Sequence, residues 1–280
     1  MWIRDVGGVM IMTELITVMS INKTYKTPIL DGSLIEYLLK RKYRHVHAVS
    51  DISFSVSEGE VLGLIGLNGA GKTSVIKMVS GIMKPDSGSV AVAGNDPFKK
   101  SRAYKHSVTL VMGQSGQLNV DLTIFDNIAF HAALYGVDKK TAFSRAEQMA
   151  SEIMLDVADM YKQVRMLSLG QRMKGELILS FIHLPKIIFL DEPTIGLDFK
   201  TQNAIRHFLA KYVRQQGASA ILTSHYMKDI GELCSRLLIL HNGKGIFYGS
   251  VSELKADLSN SSDIELDELL EMLYRGVEVD

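Results

Sequence analysis

Short apolar runs bounded by turn residues recur along the chain, and each reads as a strand. Residues 61–65 (Val-Leu-Gly-Leu-Ile) and 187–190 are apolar without a break, as strands covered on both faces of a parallel sheet are, and strand texture returns at 220–223 and 237–240. Residues 15–21 are β-branched and apolar enough for a first strand that Lys23, Thr24 and Tyr25 close; 48–56, 89–93, 108–112 and 245–248 are further strands, the last entered through the hairpin dipeptide Asn242-Gly243. From Thr123 to about Met166 the pattern changes to helical periodicity rich in Ala and Met, which predicts a mostly helical insertion in an α/β protein. Between the first two strands, residues 28–47 hold a short amphipathic helix (34–39) that runs into Lys40, Arg41, Lys42, Tyr43 and Arg44. That cluster suits either a solvated helix end, with cations near the negative pole of the dipole, or a docking surface for a partner or anionic lipid. Residues 264–274 read as an acidic amphipathic tail helix, and residues 1–12 are given no structural role.

Composition changes this picture little. The chain has 280 residues, 46% of them hydrophobic, and Lys+Arg and Asp+Glu stand at 31 each. With no basic excess, binding to nucleic acid is not expected. The single cysteine, Cys234, fits a reducing compartment. The best apolar stretch, 177–190, is broken by His183, Pro185 and Lys186, short of the roughly 20 residues a membrane span needs, so any work at a membrane falls to a partner.

Chemistry enters at Gly66-Leu67-Asn68-Gly69-Ala70-Gly71-Lys72-Thr73, a G-x-x-x-x-G-K-[ST] loop between a predicted strand and a helix that continues from Ser74. Glycines let consecutive backbone N–H groups turn in around an anion, and the helix N-terminus adds the positive end of its dipole. Gly66, Asn68, Gly69, Ala70, Gly71, Lys72, Thr73 and Ser74 are therefore the expected nucleotide contacts, with Lys72 on the β- and γ-phosphates and the Thr73 hydroxyl on Mg²⁺. A second acidic feature, Asp191-Glu192, ends the apolar run 187–190, where ligands of open parallel sheets bind. Standing alone it reads as an exposed acidic turn before Pro193. Beside a phosphate loop, Asp191 reads as a metal ligand and Glu192 as the general base for an attacking water.

Further motifs occur in one order: Gln114 after an earlier strand, Leu167-Ser168-Leu169-Gly170-Gln171 upstream of the acids, Gly196-Leu197-Asp198 after them, and Thr223-Ser224-His225 after a later strand. With these, the chain resembles the nucleotide-binding subunits of ABC transporters from about residue 15 to 248, and its insert at 28–47 resembles the extended segment of ABC-2-type export systems. The resemblance implies a P-loop NTPase fold, with a RecA-like and antiparallel β core over 13–117 and 171–255, an α-helical subdomain over 118–170 and a tail over 256–280. It implies ATP and Mg²⁺ as cofactors, ATP hydrolysis, a second ATPase subunit, and a separate integral-membrane permease that keeps the chain at the cytoplasmic face of the cell membrane, with export the preferred direction. By the same resemblance two subunits pack head to tail. Ser168, Leu169, Gly170 and Gln171 of one copy then cover the ATP of the other, Gln114 senses Mg²⁺ and the lytic water, His225 contacts the γ-phosphate, and Asp198 crosses the dimer interface. Tyr25 and Tyr43 compete to stack on adenine, and Tyr25 is preferred because it follows the first strand directly. One departure stands out: Leu169 occupies the place of a glycine, which adds bulk where a phosphate would approach.

Overall fold

The computed structural model of the chain describes residues 14–28, 43–113, 116–258 and 265–278. Strands β1 (Glu14–Pro28) and β2 (Tyr43–Ser57) pair antiparallel as a long ribbon. β3 (Val61–Gly66) then starts the main sheet, and β4 (Ser87–Val92) returns to pair with the free edge of β1, giving a three-stranded sheet of order β2-β1-β4. The six-stranded sheet adds β5 (Val108–Met112), β6 (Ile187–Asp191), β7 (Ser219–Thr223), β8 (Arg236–His241) and β9 (Lys244–Ser250) in the order β5-β6-β7-β3-β8-β9, parallel except for β9.

Alternate residues of these parallel strands face opposite ways, which explains why their sequences are apolar throughout. Leu62, Leu64, Phe189 and Ile221 face a core shared with Ile16, Val18 and Phe54 of the antiparallel sheet and with helix α1 (Lys72–Val79). Val61, Ile65, Ile188 and Leu222 face a second core filled by helices. After α2 (Arg102–Ser107) and β5, the chain leaves the sheet for α3 (Ile124–Tyr135), α4 (Lys139–Glu152), the short α5 (Val157–Met160) and α6 (Leu169–Phe181). Local signals set these boundaries. Thr123 and Asp126 form a reciprocal capping box at the start of α3, left-handed Gly136 ends it, and Asp138 caps α4. Helix α7 (Phe199–Gln216) and α8 (Met227–Leu233) connect the later strands, and α9 (Val251–Leu258) and α10 (Leu266–Glu278) follow β9.

Three differences from the sequence reading have physical causes. β1 does not close at Tyr25 but runs to Pro28, and β2 begins at Tyr43 instead of residue 48. The added rungs, Thr24 to Pro28 against His47 to Tyr43, are held by backbone pairing and polar side-chain bonds such as Thr24 Oγ1 to His47 Nδ1 at 3.0 Å, so they carry no apolar alternation to read. The tail is two helices, and Leu269 and Leu270 of the second pack into the helical core, each burial worth about 2 kcal/mol. The helix expected at 34–39, the cations Lys40 to Lys42, the extension 1–12 and Gln114 lie outside the described residues.

Candidate active site

The sheet order brings the C-terminal ends of β6, β7 and β3 side by side, so the acids, the histidine loop and the phosphate loop share one edge. Between β3 and α1 the loop turns through left-handed Gly69 (φ 84°) and Gly71 (φ 107°). A Cβ on Gly71 would lie 2.3 Å from the carbonyl oxygen of Ala48, and one on Gly66 would lie 2.8 Å from that of Leu240, so close backbone approach also dictates glycine at these two places. Lys72 is buried, and its Nζ donates to the carbonyls of Gly66 (2.7 Å) and Leu67 (3.3 Å). Burial lowers its pKa, while the carboxylates of Glu192 and Asp191 pull it the other way. A cavity of about 210 Å³ opens over the loop, lined by Ala48, residues 68–74 and Glu192, which places Asn68, Gly69, Ala70, Gly71, Lys72, Thr73 and Ser74 around one volume.

Asp191 and Thr223 pair in register, and the Thr223 hydroxyl donates to Asp191 Oδ1 at 2.7 Å. Asp191 is buried, and among the described residues nothing hydrogen-bonds its Oδ2. Glu192 sits at φ 54°, a left-handed conformation costing on the order of 1–3 kcal/mol outside glycine. Its N–H donates both to the carbonyl (3.1 Å) and to the hydroxyl (3.0 Å) of Thr223, which fixes the turn. The carboxylate accepts from His225 Nε2 at 2.8 Å, so the two side chains are already a pair. A hydroxyl on Thr73 and a buried carboxylate with a free oxygen on Asp191 are the hard oxygen donors Mg²⁺ takes, a few protein ligands sufficing beside nucleotide phosphates and water.

The 168–171 segment lies elsewhere, and none of its residues lines that cavity. Ser168 caps α6: its Oγ accepts from Gln171 N–H at 3.2 Å, and Gln171 Oε1 accepts from Ser168 N–H at 2.8 Å. This leaves the hydroxyl proton of Ser168 and the N–H groups of Leu169 and Gly170 without acceptors among the described residues. Leu169 is 55% exposed and packs beside Gly196, with Cδ2 3.4 Å from where a Cβ would stand there. Asp198 caps α7, its two carboxylate oxygens accepting the hydroxyl (2.7 Å) and N–H (3.0 Å) of Thr201, which hold its pKa below the usual range.

Tyr25 and Tyr43 are separated clearly. The Tyr25 hydroxyl lies 3.2 Å from Ser74 Oγ and 3.1 Å from Met83 Sδ, whereas Tyr43 pairs with Pro28 at the far end of the ribbon. Two residues given no role by the sequence also shape the site. Thr223 holds both acids, and Glu176 of α6 accepts the N–H groups of Gln117 (2.8 Å) and Leu118 (2.9 Å), tying the segment after residue 115 to the helix that Ser168 caps. Burial raises the Glu176 pKa, and those two bonds oppose it. Beside this segment a groove of about 440 Å³ runs between the sheet and α3, lined among others by Tyr104, Leu110, Gln117, His131 and Tyr135.

Comparison with known proteins decides the family. The model of the ABC transporter family matches residues 49–195, and the ATP-binding protein NatA of Bacillus subtilis is 32% identical over 237 residues, 84% of this chain and 94% of NatA. The chain belongs to the ABC transporter family. It is an ATP-binding subunit, as NatA and the doxorubicin resistance ATP-binding protein DrrA of Mycobacterium tuberculosis are by name; DrrA is 33% identical over 74% of this chain, which spans 62% of DrrA. The fold agrees with that of an ATP-binding subunit of an ABC transporter (TM-score 0.77, 24% identity, covering 93% of this chain and 99% of that one) and with an ATP-binding cassette solved as a dimer with ADP and Pi (TM-score 0.73, 20% identity, 84% and 98%). The P-loop NTPase architecture and its antiparallel subdomain are thus as the motifs implied.

Proposed function

We propose that this ABC ATPase binds ATP in the cavity over residues 66–74 and hydrolyses it with Glu192 as general base, in a head-to-tail dimer that drives a separate integral-membrane permease. The observation that carries the reading is the Glu192–His225 pair, 2.8 Å apart and beside the lysine-bearing loop cavity. Lys72 neutralises charge on the β- and γ-phosphates, Tyr25 offers its ring to adenine next to Ser74, and Asn68 to Ser74 enclose the phosphates. Thr73 and Asp191, with Gln114, hold Mg²⁺, which when bound neutralises charge on the transferring phosphoryl group. Glu192 takes the proton of the attacking water, and His225 keeps its carboxylate oriented. The free donors of Ser168, Leu169 and Gly170, supported by Gln171, form an anion site that a γ-phosphate on a second copy fits, with Asp198 nearby on the same face. DrrA and LnrL, named for resistance to doxorubicin and linearmycin, support an ABC-2-type exporter, and MetN of Bacillus subtilis, named for methionine import, is the counter-example among the relatives. The groove beside Gln117 and α3 receives the permease, and the chain works at the cytoplasmic face of the membrane. Glu192→Gln tests this: ATP binding persists, turnover falls about 100-fold or more, and the dimer accumulates in Mg-ATP by size-exclusion chromatography. Wild-type turnover in that variant removes Glu192 from the base role.

A further inference from the structure

Behind the acids and the histidine lies a buried carboxylate that none of the motifs contains. Asp229, on α8, is 1% exposed. Its Oδ2 accepts two hydroxyls, that of Thr194 at 2.6 Å and that of Ser224 at 2.7 Å, and its Oδ1 accepts Nη1 of Arg206 at 2.5 Å. Arg206, itself buried on α7, is completed by Asn203 and by Glu232 at 3.2 Å. The sequence positions of the two hydroxyls give this cluster its meaning. Thr194 lies two residues after Glu192, and Ser224 immediately precedes His225. One carboxylate oxygen therefore fastens the loop of the general base to the loop of its histidine, and the ion pair anchors both to the helix that begins after Asp198. Gln202 of the same helix adds bonds from Nε2 to the carbonyls of Leu197 (3.1 Å) and Thr194 (3.4 Å).

We propose that Asp229, braced by Arg206, is a positioning residue for hydrolysis: it sets the distance between Glu192 and His225 through the Thr194 and Ser224 hydroxyls, and so governs turnover without touching nucleotide. The proposal rests on the assignment of Glu192 and His225 to the hydrolytic step. A hydrophobic pair of similar volume would hold α7 and α8 together as well as this ion pair does, so packing alone does not require charge here. Two hydroxyls converging on one oxygen do require a polar acceptor at that place.

Removing Asp229 would strand a buried guanidinium and risk misfolding, so the test uses the hydroxyls. Thr194→Val and Ser224→Ala are each expected to lower kcat for Mg-ATP about three- to tenfold in the full-length chain, with the Kd for ATP changed less than twofold. Because both act through one oxygen, the double variant loses much less than the product of the two single losses. Thr194→Ser, which keeps the hydroxyl, recovers wild-type turnover. Unchanged kcat in the single variants, multiplicative losses in the double, or Thr194→Ser as impaired as Thr194→Val each overturn the proposal. A wild-type chain that binds ATP without hydrolysing it overturns the hydrolytic reading and this inference together, and the wild-type control alone reports that outcome.

Discussion

The two halves of the proposed ATP site are built differently. At the sheet edge every charged group already has a partner: Lys72 has two carbonyls, Asp191 has Thr223, and Glu192 has His225. At the start of α6 the opposite holds. Ser168 and Gln171 cap each other, the N–H groups of Leu169 and Gly170 have no acceptor among the described residues, and a Cβ on Gly170 would meet nothing closer than Thr201 atoms at 3.9 Å. A preorganised half binds its ligand without first ordering its own groups, so most ATP affinity should reside at the edge. The half with free donors gains only when an acceptor arrives, so it should govern completion of the site.

Lys72→Ala attacks the preorganised half most directly. Loss of a charge-assisted contact to two phosphates should weaken ATP binding about 100-fold or more in a titration with Mg-ATP; unaltered affinity would place the nucleotide elsewhere. On the same half, Tyr25→Ala should cost about tenfold in ATP affinity, the range of base–aromatic stacking, while Tyr43→Ala at the ribbon's end should cost less than twofold. Equal losses in the two variants would undo the assignment of Tyr25. On the open half, Leu169→Gly removes a half-exposed side chain from between the free donors and Gly196. Turnover should rise about threefold, roughly 0.65 kcal/mol, with ATP affinity of the monomer unchanged. A fall in turnover would mean that the leucine contributes contact and does not obstruct.

The remaining effect lies outside both halves and concerns pH and the far end of α6. His183, just beyond that helix, stacks on Tyr135 at 4.0 Å and bonds the Val108 carbonyl at 3.1 Å, and burial pushes its pKa down to about 4. The folded chain then favours neutral His183, while the unfolded chain protonates it near 6.5. This contribution to stability is complete above pH 6.5 and is lost as pH falls towards 4, about 3 kcal/mol in all. His131, 6.0 Å away, is lowered by burial too and adds in the same direction. His183→Phe should flatten the fall in urea midpoint between pH 6.5 and 4.5; an unchanged slope would assign it to other groups.

Much of this site is legible in the sequence because its parts are local. The loop 66–73, the acid pair, the 168–171 segment and His225 are each short patterns at the end of a predicted strand or the start of a predicted helix. The apolar runs around them fix a sheet whose C-terminal edge must collect them. What could not be read are contacts between residues far apart in sequence. Glu176 meets Gln117, 59 residues away, and Asp229 meets Thr194, 35 residues away; nothing in either neighbourhood sets those carboxylates apart from ordinary helical acids. The ribbon from Lys23 to Pro28 is missed for a different reason. Its strands are joined by backbone bonds in solvent, and no apolar alternation marks them.

That ribbon bears on the phosphate loop mechanically. Where β2 passes the loop, the Ala48 carbonyl would meet a Cβ on Gly71 at 2.3 Å and one on Gly243 at 3.0 Å. Ser50 N–H donates to the Gly243 carbonyl at 2.7 Å, and Gly243 N–H donates to that of Ala70 at 3.1 Å. Ala48 is thus a fulcrum. Through these contacts the position of β2 is tied to that of the loop backbone at Ala70 and Gly71, so a shift of the ribbon at Ala48 would be felt there first.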